Sequence, residues 1–187
     1  MEYISTRNTQ KTFSFKDVFL KGLAPDGGLF VPKKIPLYTS QELEKLRNLS
    51  YNSLATKIIL KFCSDEFNEI EIKDLVKNSY KNFRVNDVVV IKKLGKVNLL
   101  ELFHGPTLAF KDIAMQVIGN MYEKILKKNN LKINVVVATS GDTGAAAINA
   151  IRDRKNMKIF VLHPDNKISE VQRKFMTTVN SDNVFNI

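Results

Sequence analysis

The stretch Ile133-Asn134-Val135-Val136-Val137-Ala138-Thr139, followed at once by Ser140-Gly141-Asp142-Thr143-Gly144 and then Ala145-Ala146-Ala147, constrains the fold more than any other part of the chain. The opening run is β-branched and apolar, the pattern of a strand buried on both faces of a parallel sheet. A glycine-bearing loop breaks it, and the alanine-rich stretch reads as a helix through about Arg154. Lys158–Leu162 reads as the next strand, Ser169-Glu170-Val171-Gln172 as the cap of another helix, and Asn183–Ile187 as the start of a further strand. Strands spaced by helices of this length imply βαβ crossovers and a three-layer α/β sheet. The pattern stops on a strand just begun, so the chain is expected to be the opening part of a longer one and inactive alone.

Upstream the texture is helical. Phe13–Leu23 carries a helical stripe at residues 15, 18, 19 and 23, with Ser14 as candidate N-cap and Gly22 near the end. Ala24-Pro25-Asp26-Gly27-Gly28 is a turn. Thr39-Ser40-Gln41-Glu42 opens a helix as a capping box, Ala55–Phe62 is amphipathic, and Glu69–Phe83 places Ile72, Leu75, Val76 and Tyr80 on one face. From Asp87 the pattern changes. Val88–Ile91 and Val97–Phe103 read as a hairpin through Gly95, and a helix after Asp112 repeats Ile113, Val117, Met121 and Ile125. The expected division is a mainly helical domain over residues 1–85 and the first part of an α/β domain over 86–187.

Composition narrows the function. At 44% apolar and 26% charged residues the chain is ordinary for a globular protein, with no membrane-length apolar run and no signal-peptide pattern. The single Cys63 cannot form an internal disulfide and lies in no metal-binding spacing, which suits a reducing cytoplasm and a buried structural role. No metal site is expected. A net charge of +10 raises the question of a nucleic-acid partner. The excess is spread lysine with only six arginines, so that reading is the weaker one. A basic balance also suits an anionic, phosphorylated substrate.

Two segments carry chemistry. In Glu101-Leu102-Phe103-His104-Gly105-Pro106-Thr107-Leu108-Ala109-Phe110-Lys111-Asp112, a turn follows a strand and Lys111 falls where a helix begins. The positive end of the helix dipole and the apolar Ala109 and Phe110 both disfavour a protonated amine, and a neutral amine attacks aldehydes. By chemistry alone, a solvated lysine beside an ordinary turn remains the leading alternative. In Ser140–Gly144, strand, glycine loop and helix start aim backbone N–H groups at one point, an arrangement for a carboxylate or phosphate. The loop is neither a P-loop nor a dinucleotide fingerprint. A βα turn without a ligand is its plain alternative.

The segment His104–Asp112 resembles the cofactor-lysine signature of the threonine synthase family, within the fold-type II enzymes that use pyridoxal 5'-phosphate (PLP). Tyr3-Ile4-Ser5-Thr6-Arg7, Gly22–Pro32, the Ser140–Gly144 loop, Ser169–Gln172 and Met176-Thr177-Thr178 resemble the same family in the same order. The resemblance implies a tryptophan synthase β-like fold and conversion of O-phosphohomoserine and water to threonine and phosphate. It implies that Lys111 carries PLP and moves protons, that Phe110 walls the cofactor ring, and that Ser140, Gly141, Asp142, Thr143 and Gly144 bind the substrate carboxylate, Asp142 also lying near the ring. His104 either orders the turn through a hydrogen bond or moves a proton; His163 is read as structural. Two departures stand out: Asn8 occupies a position where the family usually has glycine, and the family's glycine-rich cup for the PLP phosphate has no counterpart here. A phospholyase releasing a keto acid, and a non-catalytic module, are the alternative functions.

Overall fold

A computed structural model describes residues 1–187, which fall into two compact units, Met1–Lys77 and Asn78–Ile187. In the first unit, β1 (Tyr3–Ser5), β2 (Thr12–Phe13) and β3 (Phe30–Pro32) form an antiparallel sheet in the order β2-β1-β3, with Tyr3 opposite Phe13 and Ile4 opposite Val31. Around it stand α1 (Phe15–Lys21), α2 (Ser40–Leu46), α3 (Tyr51–Cys63) and α4 (Glu69–Tyr80), the last continuing three residues into the second unit. The expected N-caps form: the Ser14 side chain accepts from the Asp17 N–H, and Thr39 and Glu42 cap each other reciprocally. Gly22, at φ 72°, ends α1 in a backbone conformation open chiefly to glycine. The helical reading overlooked the small sheet, whose strands are too short to show a period of two.

That sheet joins two of the segments singled out in the sequence. Thr6 and Leu29 exchange bonds: the Thr6 N–H donates to the Leu29 carbonyl and the Leu29 N–H to Thr6 Oγ1. Asp26 accepts from Ser5 Oγ at 2.7 Å and from the Gly28 N–H, bonds that hold its carboxyl below the usual range. Asn8 bends the chain by accepting from the Gln10 N–H, an Asx-turn that needs no glycine. Tyr3, Phe15, Phe67, Ile72, Leu75 and Val76 are buried, and Phe15 meets Phe19 with ring centroids 5.2 Å apart. Cys63 is fully buried, and burial pushes its thiol up to about 12, so it is the inert hydrophobe expected.

The second unit opens with a hairpin of β4 (Val90–Leu94) and β5 (Val97–Glu101) turning through Gly95 at φ 61°. Val88, assigned to the strand in the sequence, is instead buried at φ 63° just before it. Then α5 (Asp112–Lys128), β6 (Ile133–Ala138), α6 (Asp142–Ile151), β7 (Met157–Leu162), α7 (Glu170–Thr177) and β8 (Val184–Asn186) alternate. The strands pair in parallel in the order β6-β7-β8, with Val135 opposite Ile159 and Ile159 opposite Val184. The class is α/β as expected. Met157, Ile159 and Val161 pack inward with Ala146, Ile148 and Met176.

Burial on both faces does not hold for β6. Its residues alternate between half-buried and exposed, and Val136 is 67% exposed. Leu162 and Phe185 project on the same outer side, with Phe160 and Phe185 stacked at 4.8 Å. Within these residues helices cover one face of the sheet, so the two-sided apolar pattern finds only half of its partners.

Candidate active site

The lysine turn is built by Asp112, the first residue of α5. Its carboxylate is fully buried and turns back to accept from the Thr107 N–H and from Thr107 Oγ1, each at 2.8 Å. Gly105 is required there, because a Cβ at that position would lie 2.4 Å from the Asp112 Cβ and 2.5 Å from its Oδ2. Leu108 is drawn to φ 63° as its N–H donates to the Gly105 carbonyl. Lys111 therefore sits at the N-cap position of α5, half-buried, with Nζ 4.2 Å from the centroid of the Phe110 ring. Its amine pairs with no carboxylate, while the Phe110 ring itself is largely exposed.

Upstream of the turn, the buried Glu101 accepts from Lys92 Nζ at 2.7 Å and pairs with His104 Nε2 at 2.9 Å. Those two bonds, Lys92 foremost, hold the Glu101 carboxyl below its ordinary range. This contact ties His104 to the end of β5. His163 has a buried Nδ1 without a hydrogen-bond partner.

The glycine loop runs into the first turn of α6, with Gly141 at φ 146° as N-cap residue. Thr139, the last residue before the loop, sets its shape. Thr139 Oγ1 accepts from the N–H groups of both Gly141, at 3.1 Å, and Gly144, at 3.0 Å. Two of the five N–H groups expected to meet a ligand are therefore spent on the loop itself. Those of Asp142 and Thr143 lie in the first helical turn, where no carbonyl of the helix can reach them. With the Ser140 N–H they are the three of the five that the loop does not use, two of them at the positive end of the helix dipole.

The helices that follow the two segments, α5 and α6, pack together, Gln116 Nε2 donating to Asn149 Oδ1 at 2.9 Å. Burial pushes the Asp112 carboxyl up, its bonds to Thr107 pull the other way, and the negative charge of Asp142 adds to the upward push. The sign of the pH dependence follows. Unfolded, Asp112 ionises at about 3.8; folded, it ionises higher, so between those values the folded chain binds more protons and stability falls as pH rises. Asp112→Asn keeps a partner for each Thr107 group and removes that slope, whereas Asp112→Ala leaves buried groups unpaired and costs about 2–4 kcal/mol. Urea unfolding midpoints from pH 4 to 7 check both expectations.

Asp112, Thr107, Thr139 and Glu101 were not marked as site residues by the sequence. A Ser/Thr pair at a strand end before glycine is the one signal that hints at Thr139.

Residues 2–80 match the family described as "Threonine synthase N terminus". Over its full length the chain is 43% identical to threonine synthase from Pseudomonas aeruginosa, of which it spans 40%. The chain belongs to the threonine synthase family. Threonine synthase from Schizosaccharomyces pombe is 43% identical across 98% of the chain and 38% of the relative, and threonine synthase-like 2 from Xenopus laevis is 40% identical across 98% and 39%. Among solved structures, PLP-bound threonine synthase from Brucella melitensis superposes with a TM-score of 0.93 at 39% identity, covering all of this chain and 40% of that one. Yeast threonine synthase gives a TM-score of 0.93 at 40% identity, with the same coverage. The chain thus spans about two-fifths of the length of the threonine synthases it matches.

Proposed function

We propose that the whole protein is a PLP-dependent threonine synthase, a carbon–oxygen lyase that converts O-phosphohomoserine and water to threonine and phosphate in amino-acid biosynthesis. The observation that carries this reading is the amine of Lys111, half-buried, unpaired with any carboxylate, and fixed at the head of α5 by the buried Asp112–Thr107 bridge. An amine so held suits an aldehyde cofactor. Lys111 would hold PLP, with Phe110 against the ring and Asp142 nearby. Bound PLP supplies an electron sink that makes a negative charge at the substrate Cα tolerable.

The chain's own groups do the rest. The Asp142 and Thr143 N–H groups receive the substrate carboxylate, with the Ser140 and Thr143 hydroxyls beside them. Lys111, once free, is the base that takes the Cα proton and the acid and base for protons at Cβ. Phosphate leaves from Cγ, a proton taken from Cβ is made good by one added at Cγ to form the methyl group, and water adds at Cβ to give threonine. Cytoplasmic location fits the buried, unpaired Cys63. No helix is long and apolar enough to cross a membrane.

Borohydride reduction of the PLP-loaded full-length protein should leave the pyridoxyl group on the peptide carrying Lys111; finding it on Lys93 or Lys96 instead would overturn the assignment. Product analysis decides the reaction, since threonine is expected and a keto acid would mark a phospholyase. The loop glycines give a further expectation. Valine at Gly141, where a Cβ would meet the Gln172 side chain at 2.5 Å and φ is positive, should raise KM for O-phosphohomoserine by at least about tenfold while PLP affinity holds. Equal loss of cofactor and substrate binding would count against the carboxylate role.

A further inference from the structure

An aspartate in the first turn of a helix is a potential competitor for the anion that the helix end should bind. Its carboxylate can fold back onto the helix's own free N–H groups and satisfy them internally. Asp142 is so placed, one residue after the N-cap Gly141. It does not stand free. Gln172, in the first turn of α7, donates from Nε2 to Asp142 Oδ1 at 2.9 Å. The other end of the same amide is fixed as well, Gln172 Oε1 accepting from Ser169 Oγ at 3.0 Å. Ser169 Oγ in turn accepts from the Gln172 N–H at 3.2 Å, so both backbone and side chain of Gln172 are anchored by the N-cap of α7. The amide group lies flat against Gly141, close enough that any Cβ there would strike its Cδ at 2.5 Å and its Nε2 at 2.6 Å. Ser169, Gln172 and Asp142 thus form a chain of bonds from one helix start to the other.

We propose that Gln172 is a positioning residue for substrate binding: it holds the Asp142 carboxylate away from the Asp142 and Thr143 N–H groups and so keeps that helix end open for the substrate's carboxylate. The idea rests on the reading of the α6 terminus as the carboxylate site. It also gives the close contact of Gln172 with Gly141 a purpose, because a side chain at 141 would displace the amide that restrains Asp142. The glycine is needed as much for Gln172 as for the ligand.

The test uses the full-length, PLP-loaded protein. Gln172→Met keeps the shape over Gly141 and removes the donor. It should raise KM for O-phosphohomoserine on the order of tenfold, the scale of one hydrogen bond to a charged group, with the effect on KM rather than kcat. Calorimetric Kd for L-threonine should rise by the same factor, and the PLP affinity should stay as it was. Gln172→Glu sets a carboxylate against Asp142 and should weaken L-threonine binding further, the defect easing as pH falls. In an Asp142→Ala background, which has no carboxylate to restrain, Gln172→Met should change neither KM nor Kd. An unchanged KM in Gln172→Met, or an equal rise in the Asp142→Ala background, overturns the proposal. Thr139→Val separates its failure from that of the underlying reading. If Thr139→Val raises KM and Gln172→Met does not, only the role of Gln172 falls; if neither moves KM or Kd, the carboxylate site itself falls.

Discussion

Arginine in place of Lys111 should reduce turnover of the full-length protein at least about a thousandfold, the scale of losing a group that both binds covalently and moves protons. Arginine keeps the positive charge and the length, and its guanidinium cannot deprotonate to attack an aldehyde or accept a proton. The site tolerates the change structurally. Lys111 is half-buried with its amine over the Phe110 ring, an arrangement a guanidinium can copy. A thermal melt of PLP-free Lys111→Arg should therefore match that of the PLP-free unaltered protein, while threonine formation with PLP collapses. Turnover within tenfold of normal would remove Lys111 from the chemistry.

Gly119→Val should be the most damaging single change to the fold. Gly119 is buried in α5 against α6, where a Cβ would lie 2.6 Å from the Ala150 carbonyl oxygen and 3.2 Å from the Ala150 Cβ. The first contact is with backbone, which cannot swing aside. That carbonyl is also pinned, accepting from Arg154 Nε at 2.7 Å. The same guanidinium pairs with Glu123 and donates to Asn120 Oδ1, both on α5. Burial and this set of bonds oppose each other at Arg154, burial lowering its affinity for the proton and Glu123 raising it. Valine must push the helices apart and break bonds of the clamp, at a cost of about 3 kcal/mol or more. For a domain of this size, that corresponds to a fall in Tm of roughly 6–12 °C. A melt within about 2 °C of the unaltered protein would mean that the helices do not meet there as described.

What the sequence made legible was local. Ser14, Thr39 and Ser169 mark helix starts because a cap is settled within three residues, and Gly95 marks the hairpin because its turn closes on its neighbours. Lys111 and the Ser140–Gly144 loop stood out because a strand, a turn and a helix start follow one another directly in the chain. The groups that shape the site did not stand out. Asp112 reaches back to Thr107 and Thr139 forward to Gly144, bonds that depend on how a turn curls. Gln172 meets Asp142 across thirty residues of chain, and its capping of α7 gave no hint of where its amide would point. Val136 marks the same limit. Its β-branched neighbours made two-sided burial the natural reading, yet whether a second layer lies over a strand is decided by elements elsewhere in the chain.

The strand order β6-β7-β8 also sets a clock for amide exchange. Only β7 has a partner on each side, so the protons on its ladder are released when the sheet opens as a whole. Among residues 1–187 strand β6 pairs with β7 alone, and its residues Asn134, Val136 and Ala138 are exposed. Its outward-directed N–H groups should exchange deuterium by local fraying, well before those bonded within β7. The loop that carries Asp142 hangs from the end of this early-exchanging strand. Among these residues the helix terminus proposed for the substrate is therefore mounted on one of the sheet's less protected edges, held from the other side by α7.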